Sequence, residues 1–146
     1  MLDTMTEGKT GTAGGCLCGA VRYTAAGAPL WAAHCHCQSC RRITGAPFAA
    51  FVGFAQDCVS VTAGSPATYA SSPGVRRSFC GACGTPIAYE ADRFPGEIHL
   101  YVCTLDDPAA VEPTGHVHAG EQLAWLHLND GLPRYRTTSG EGDALP

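Results

Sequence analysis

Three cysteines and a histidine fall within Cys35-His36-Cys37-Gln38-Ser39-Cys40, with Arg41 directly after. Such a density of thiols serves a metal, a redox couple or a nucleophile. Three thiolates can fill three of the four tetrahedral positions of Zn²⁺, and zinc with three protein ligands keeps its fourth place for water or a substrate. The stretch reads as an open, reactive zinc site.

Two further pairs, Cys16 with Cys18 and Cys80 with Cys83, flank this trio in the chain. In Gly15-Cys16-Leu17-Cys18-Gly19 an extended backbone at the mouth of a strand sends both thiols to one face, where they can share a metal. Cys80-Gly81-Ala82-Cys83-Gly84 is a zinc knuckle, with glycines that let backbone amides point at the thiolates. The natural partition is four and three. The outer pairs close a structural four-thiolate site that clamps an early strand to a much later one and contributes directly to folding stability. Cys35, Cys37 and Cys40 are left with an open position. Other pairings stay open at this stage. The outer four include a Cys-x-x-Cys of redox type, although its usual βαβ context is missing. His34, His36, Cys58 or Cys103 can close the trio into a second structural site. Cys58 and Cys103, in β-like segments, read as small buried hydrophobes more readily than as ligands.

The elements that carry these ligands belong to one domain of 146 residues, long enough for its own hydrophobic core. A formal charge of -4 excludes the basic footprint of a nucleic-acid binder. Eight of the nine basic residues are arginines, paired at Arg41-Arg42 and Arg76-Arg77. An arginine fork suits a small carboxylate or phosphate, and the plain alternative for each pair is a solvated surface. No apolar run approaches a membrane span and no signal peptide is legible, so a cytoplasmic protein with no membrane partner is expected. In a reducing compartment, nine cysteines are best explained by metal ligation. The sequence permits a homodimer without requiring one.

Residues 1–14, rich in Gly and Thr, are expected to form a flexible leader. Its Gly8-Lys9-Thr10 lacks the earlier glycine of a phosphate-binding loop. A single zinc domain then spans 15–137, followed by a disordered tail at 138–146. Short strands are expected at Ala20 to Thr24, Leu30 to Ala33, Phe48 to Phe54, Val59 to Thr62, Thr68 to Ala70 and Val75 to Phe79. Further strands are expected at Pro86 to Tyr89, Ile98 to Val102, Val117, Trp125 to Leu128 and Arg134 to Thr137. One helical turn fits Arg41 to Thr44, before Gly45 and Pro47. The fold class is all-β, with few or very short helices.

From Gly15 to about Tyr135 the chain resembles the glutathione-dependent formaldehyde-activating enzyme family. The resemblance rests on Gly15-Cys16-Leu17-Cys18-Gly19-Ala20-Val21, on His34-Cys35-His36-Cys37-Gln38-Ser39-Cys40-Arg41 with Thr44-Gly45-Ala46-Pro47-Phe48, and on Phe79-Cys80-Gly81-Ala82-Cys83-Gly84-Thr85-Pro86. Leu105-Asp106-Asp107-Pro108, His116 and Trp125 with Asp130-Gly131-Leu132-Pro133 fit in order. It implies a β-tent, short antiparallel sheets pinned by a four-cysteine zinc site. It also implies two Zn²⁺ per chain, one structural at Cys16, Cys18, Cys80 and Cys83, the other catalytic at Cys35, Cys37 and Cys40.

The implied activity is that of a carbon-sulfur lyase joining a small-molecule thiol such as glutathione to formaldehyde or another small aldehyde. A thiol landing on the open zinc loses its proton and attacks the carbonyl, and the reverse cleaves the C–S bond. His36, His34 and His116 are candidates for the proton transfer, and Arg41 for holding a carboxylate or the alkoxide. A non-enzymatic zinc scaffold with two closed sites is the rival, and thiol redox chemistry of the trio is a third reading.

Overall fold

Short apolar-alternating runs separated by Gly, Pro and Asp become strands along most of the chain, as the computed structural model of residues 11–139 and 144–145 describes it. The strands are β1 (Gly11–Gly15), β2 (Arg22–Ala26), β3 (Trp31–Cys35), β4 (Ala49–Ala55), β5 (Val59–Ala63) and β6 (Ala67–Ser72). They continue with β7 (Val75–Phe79), β8 (Pro86–Ala91), β9 (Glu97–Tyr101), β10 (His116–Val117), β11 (Arg134–Tyr135) and β12 (Ala144–Leu145). One α-helix, α1 (Gln38–Thr44), follows β3. The fold is mainly β, as expected.

Two sheets result, one of three strands in the order β1-β2-β5 and one of nine in the order β12-β11-β10-β3-β4-β9-β8-β7-β6. Pairing is antiparallel except at β10, which runs parallel to both β3 and β11. The apolar run of β4 lies at the centre of the large sheet because both of its faces are covered. Val52 and Phe54 join Leu100, Ala88 and Ala32 against Tyr23 and Ala25 of the small sheet and Val21 just before it. Phe51 projects the other way and packs with Tyr101, Cys35 and Cys40. Period-two alternation thus gives the large sheet one core face and one face that bears the cysteine trio.

Four expectations need correction. Gly11–Gly15 is not leader but β1, paired with β2 from Gly11↔Ala26 to Gly15↔Arg22. Its glycines allow the approach, since a Cβ on Gly14 would collide with the Tyr23 hydroxyl and the Thr104 carbonyl. Residues 1–10, with Gly8-Lys9-Thr10, lie outside the described residues. In the expected tail, Ala144–Leu145 pairs antiparallel with β11, and 140–143 and 146 lie outside the described residues.

Trp125 to Leu128 forms no strand. The segment instead closes a turn through the Leu126 N–H to the Leu123 carbonyl at 3.0 Å, with Trp125 65% exposed.

The Cys16 to Ala20 stretch, expected to be extended, is the tight turn between β1 and β2. The Gly19 N–H donates to the Cys16 carbonyl at 3.1 Å, and Gly19 takes φ 80°, where glycine is favoured.

Candidate metal centres and the adjoining cavity

Cys35 ends β3, Cys37 caps α1 and Cys40 lies in the first turn of that helix. The chain can turn so sharply because the Cys37 sulfur accepts the Cys40 N–H at 3.3 Å, satisfying a helix-end donor as a capping oxygen would. Gly45, at φ 63°, ends the helix. The three sulfurs lie within 4.8 Å of one another. Cys35 and Cys40 are 6% and 4% exposed, and Cys37 is half-buried.

Their ionisation is split by mutual proximity. Hydrogen bonds from Cys35 and Cys40 pull Cys37 well below the usual thiol range, whereas Cys37, Cys40 and burial push Cys35 far above it. One thiolate is stabilised at the expense of the others, and a divalent cation is the partner that lets all three ionise.

The other cluster joins the two sheets. Cys16 and Cys18 in the β1–β2 turn meet Cys80 and Cys83 in the β7–β8 turn, all four sulfurs within 4.8 Å of one another. Cys16 to Cys18 is 3.6 Å and Cys18 to Cys80 is 3.8 Å. Tetrahedral zinc with Zn–S bonds of about 2.3 Å sets its sulfurs about 3.8 Å apart, so this cluster has the right size for such an ion. Backbone amides already point at the sulfurs, from Val21 to Cys16 at 3.2 Å and from Cys83 to Cys80 at 3.5 Å. Hydrogen bonds from the Thr85 hydroxyl and backbone hold the Cys83 thiol down at about 5, as a thiolate ligand requires.

The histidines of the central motif do not face the trio's open side. His34 on β3 and His36 directly after it flank Cys35 and gather around His116, the half-buried His34 stacked on its ring and the buried His36 tilted against it. His36 Nε2 lies 2.9 Å from His116 Nδ1, and His116 Nε2 lies 2.8 Å from Asp130 Oδ2. Burial and the neighbouring His116 push His36 down to about 4. Arg41 is also engaged elsewhere, its Nε donating to the His36 carbonyl at 3.2 Å. Of the expected catalytic set, the structure brings together Cys35, Cys37 and Cys40 and sets His36 and Arg41 apart. His34, His36, Cys58 and Cys103 do not close the trio, and among the described residues no fourth Cys, His, Asp or Glu joins it.

A cavity of about 930 Å³ opens instead on all three cysteines. Its walls include Trp31, Phe51, Tyr89, Arg77, His99 and His118. His99 Nε2 lies 2.9 Å from Glu97 Oε2, and the Trp31 Nε1–H donates to the same oxygen at 3.2 Å. His118 adopts the left-handed backbone at φ 50°, rare for a side-chain-bearing residue and frequent at functional positions. Its Nδ1 is 3.7 Å from Glu121.

Sequence reasoning did not single out Trp31, Tyr89, His99 or His118, and it offered an exposed surface as one reading of Arg77. A signal existed for Arg77, which shares its strand face with Val75 and Phe79. Arg76 points outward to Asp92 at 3.0 Å, whereas Arg77 is only 6% exposed.

Residues 11–121 match the family described as glutathione-dependent formaldehyde-activating enzyme. The chain is 36% identical over 91 residues to an uncharacterized lyase of Schizosaccharomyces pombe, covering 61% of this chain and 66% of that protein, just under two thirds of its length. Its fold is similar to the crystal structure of a Rhodobacter sphaeroides protein, with a TM-score of 0.57 at 25% identity over 69% of this chain and 91% of the other.

Proposed function

The chain belongs to the glutathione-dependent formaldehyde-activating enzyme family, and from that membership we propose that it is a zinc-dependent carbon-sulfur lyase acting on a thiol such as glutathione and a small aldehyde. The observation that carries this reading is the cavity that opens on a cluster of three, rather than four, cysteine sulfurs. A scaffold with two closed structural sites has no use for that opening. The lyase name of the fungal relative supports the same reaction class.

In this reading Cys16, Cys18, Cys80 and Cys83 hold a structural zinc, and Cys35, Cys37 and Cys40 hold the reactive one. When bound there, zinc supplies a Lewis-acid position at which an incoming thiol gives up its proton. Trp31, Phe51 and Tyr89 form an apolar wall that excludes water and holds a small carbonyl compound beside the sulfur. His118 takes over the proton-transfer role expected of His36, since it alone of the two lines the cavity.

The balance is simple. The thiol S–H proton passes to His118, the sulfur forms a bond to the carbonyl carbon, the C=O π bond opens, and the proton returns to the oxygen as a hydroxyl. Nothing is oxidised or reduced. Reversal of the same steps cleaves the C–S bond.

Exchange spectroscopy on glutathione mixed with ¹³C-formaldehyde tests this. The interconversion rate between free aldehyde and adduct should rise in proportion to wild-type protein and stay at the uncatalysed rate with Cys37→Ser. A wild-type protein that leaves the rate unchanged overturns the proposal.

A further inference from the structure

Arg77 is a buried cation without a carboxylate. It is 6% exposed, and among the described residues none of the ion pairs includes it. Its Nε donates to Ser71 Oγ at 3.2 Å, its Nη1 lies 4.0 Å from Cys40 Sγ, and its guanidinium carbon lies 4.9 Å from the centre of the Tyr89 ring. Among the described residues Nη2 makes no hydrogen bond, and the side chain lines the cavity. A guanidinium stays charged at every pH at which the protein folds. Burying it without an anion is unfavourable, so a negative partner belongs to the site.

The three cysteines provide that partner. Three thiolates around a divalent cation carry one net negative charge, on the side of Cys40 where Arg77 sits. Tyr101 gives a second pointer. It packs with Cys35, Cys40 and Phe51, and among the described residues its buried hydroxyl meets the geometry of a hydrogen bond with none, the Arg77 guanidinium being its charged neighbour. Arg77 and Tyr101 therefore both stand beside the trio, Arg77 with only a neutral hydroxyl at Nε and the Cys40 sulfur near Nη1, an arrangement suited to electron-rich sulfur.

We infer that Arg77 is the counter-cation of the three-cysteine metal site, neutralising its net charge through Cys40 and thereby setting how tightly the metal is held. It is a positioning residue, acting through Cys40 rather than on a substrate. The inference rests on the reading that Cys35, Cys37 and Cys40 hold a divalent metal. An N–H aimed at a thiolate also withdraws electron density from it, so the metal stays receptive to a fourth, anionic sulfur.

The test is zinc retention against a graded series of chelator activities, read as zinc per chain on the whole protein. Cys37→Ser identifies the signal of the four-cysteine site alone. In Arg77→Gln, which keeps a donor but no charge, the three-cysteine site should bind zinc about 10- to 100-fold more weakly, with the four-cysteine site unchanged. Arg77→Lys, which keeps the charge, should stay within about threefold of wild type.

Two results overturn the inference while leaving the open-metal reading intact: Arg77→Gln binding zinc as tightly as wild type, or Arg77→Lys weakening it as much as Gln does. Should Arg77→Gln not fold, Arg77→Met replaces it under the same criteria. A wild-type protein that holds only the zinc seen in Cys37→Ser overturns both the inference and the reading beneath it.

Discussion

His36 Nε2 and His116 Nδ1 meet at 2.9 Å on the face of β3 that Cys35 does not use. Both rings are buried, His36 at 0% and His116 at 1% exposure. The pair, extended by Asp130, stitches β3 to β10 behind the trio, a structural duty for residues that a sequence reader assigns to catalysis. His118 stands two positions from His116 and lines the cavity.

Substitutions at these two histidines should therefore separate stability from turnover. His116→Ala leaves a void and unpairs His36 and Asp130, and is expected to lower stability by about 3 kcal/mol in denaturant unfolding with turnover per bound zinc unchanged. His118→Gln is expected to lower turnover by about 100-fold with little change in unfolding midpoint. The reverse pattern would return the proton-transfer role to the buried stack.

The four-cysteine cluster couples segments 62 residues apart through Cys18 and Cys80. Structural zinc sites contribute about 10 kcal/mol or more to small domains, comparable to the whole stability of a typical domain. Cys80→Ser should abolish cooperative thermal unfolding, and chelation of this site in the wild type should do the same. Cys37→Ser should keep a cooperative transition, as circular dichroism can establish.

Burial, opposed by the Glu97 hydrogen bond and charge, holds the His99 imidazole below its ordinary value of 6.5. The folded state thus resists protonation that the unfolded chain accepts, so the unfolded state binds more protons as pH falls below 6.5. Stability from this group is intact above 6.5 and declines towards acid, by at most about 1.4 kcal/mol per pH unit. His99→Gln can still bond Glu97 but does not titrate. Its stability, measured in urea from pH 7 to 5, should fall less steeply than that of the wild type; parallel curves would contradict the assignment.

Gly53 lies directly beneath the Trp31 indole across the β3–β4 pair. A Cβ there would fall inside the indole's van der Waals surface. Gly53→Ala should displace Trp31 from the cavity wall, shift its fluorescence and raise KM for the aldehyde, with a loss of stability of about 1–3 kcal/mol. An unchanged emission spectrum would show that the ring yields without leaving the wall.

What was legible in the sequence follows from local chemistry. Spacing groups Cys16, Cys18, Cys80 and Cys83 apart from Cys35, Cys37 and Cys40, and a short aromatic-rich apolar run finds β4, because ligand density and apolar runs are local signals. The direction of the side chains around the trio is not local. His36 sits between two cysteines in the chain and yet turns to His116, since it follows Cys35 at the end of β3, where extended backbone sends successive side chains to opposite faces. Arg77, His99 and His118 reach the cavity from β7, β9 and the segment after β10, brought there by sheet order and crossovers. Trp125 to Leu128 reads as a strand and stays irregular, closing instead a turn from the Leu126 N–H to the Leu123 carbonyl.

The most direct test of the account is zinc per chain in wild type and Cys37→Ser, purified without chelator or added metal. Two zinc ions in the wild type and one in the variant, with the fold of both intact, is the predicted result. One zinc in both would show that Cys35, Cys37 and Cys40 are not a metal site as the protein is isolated, and would contradict the open-zinc lyase at its base.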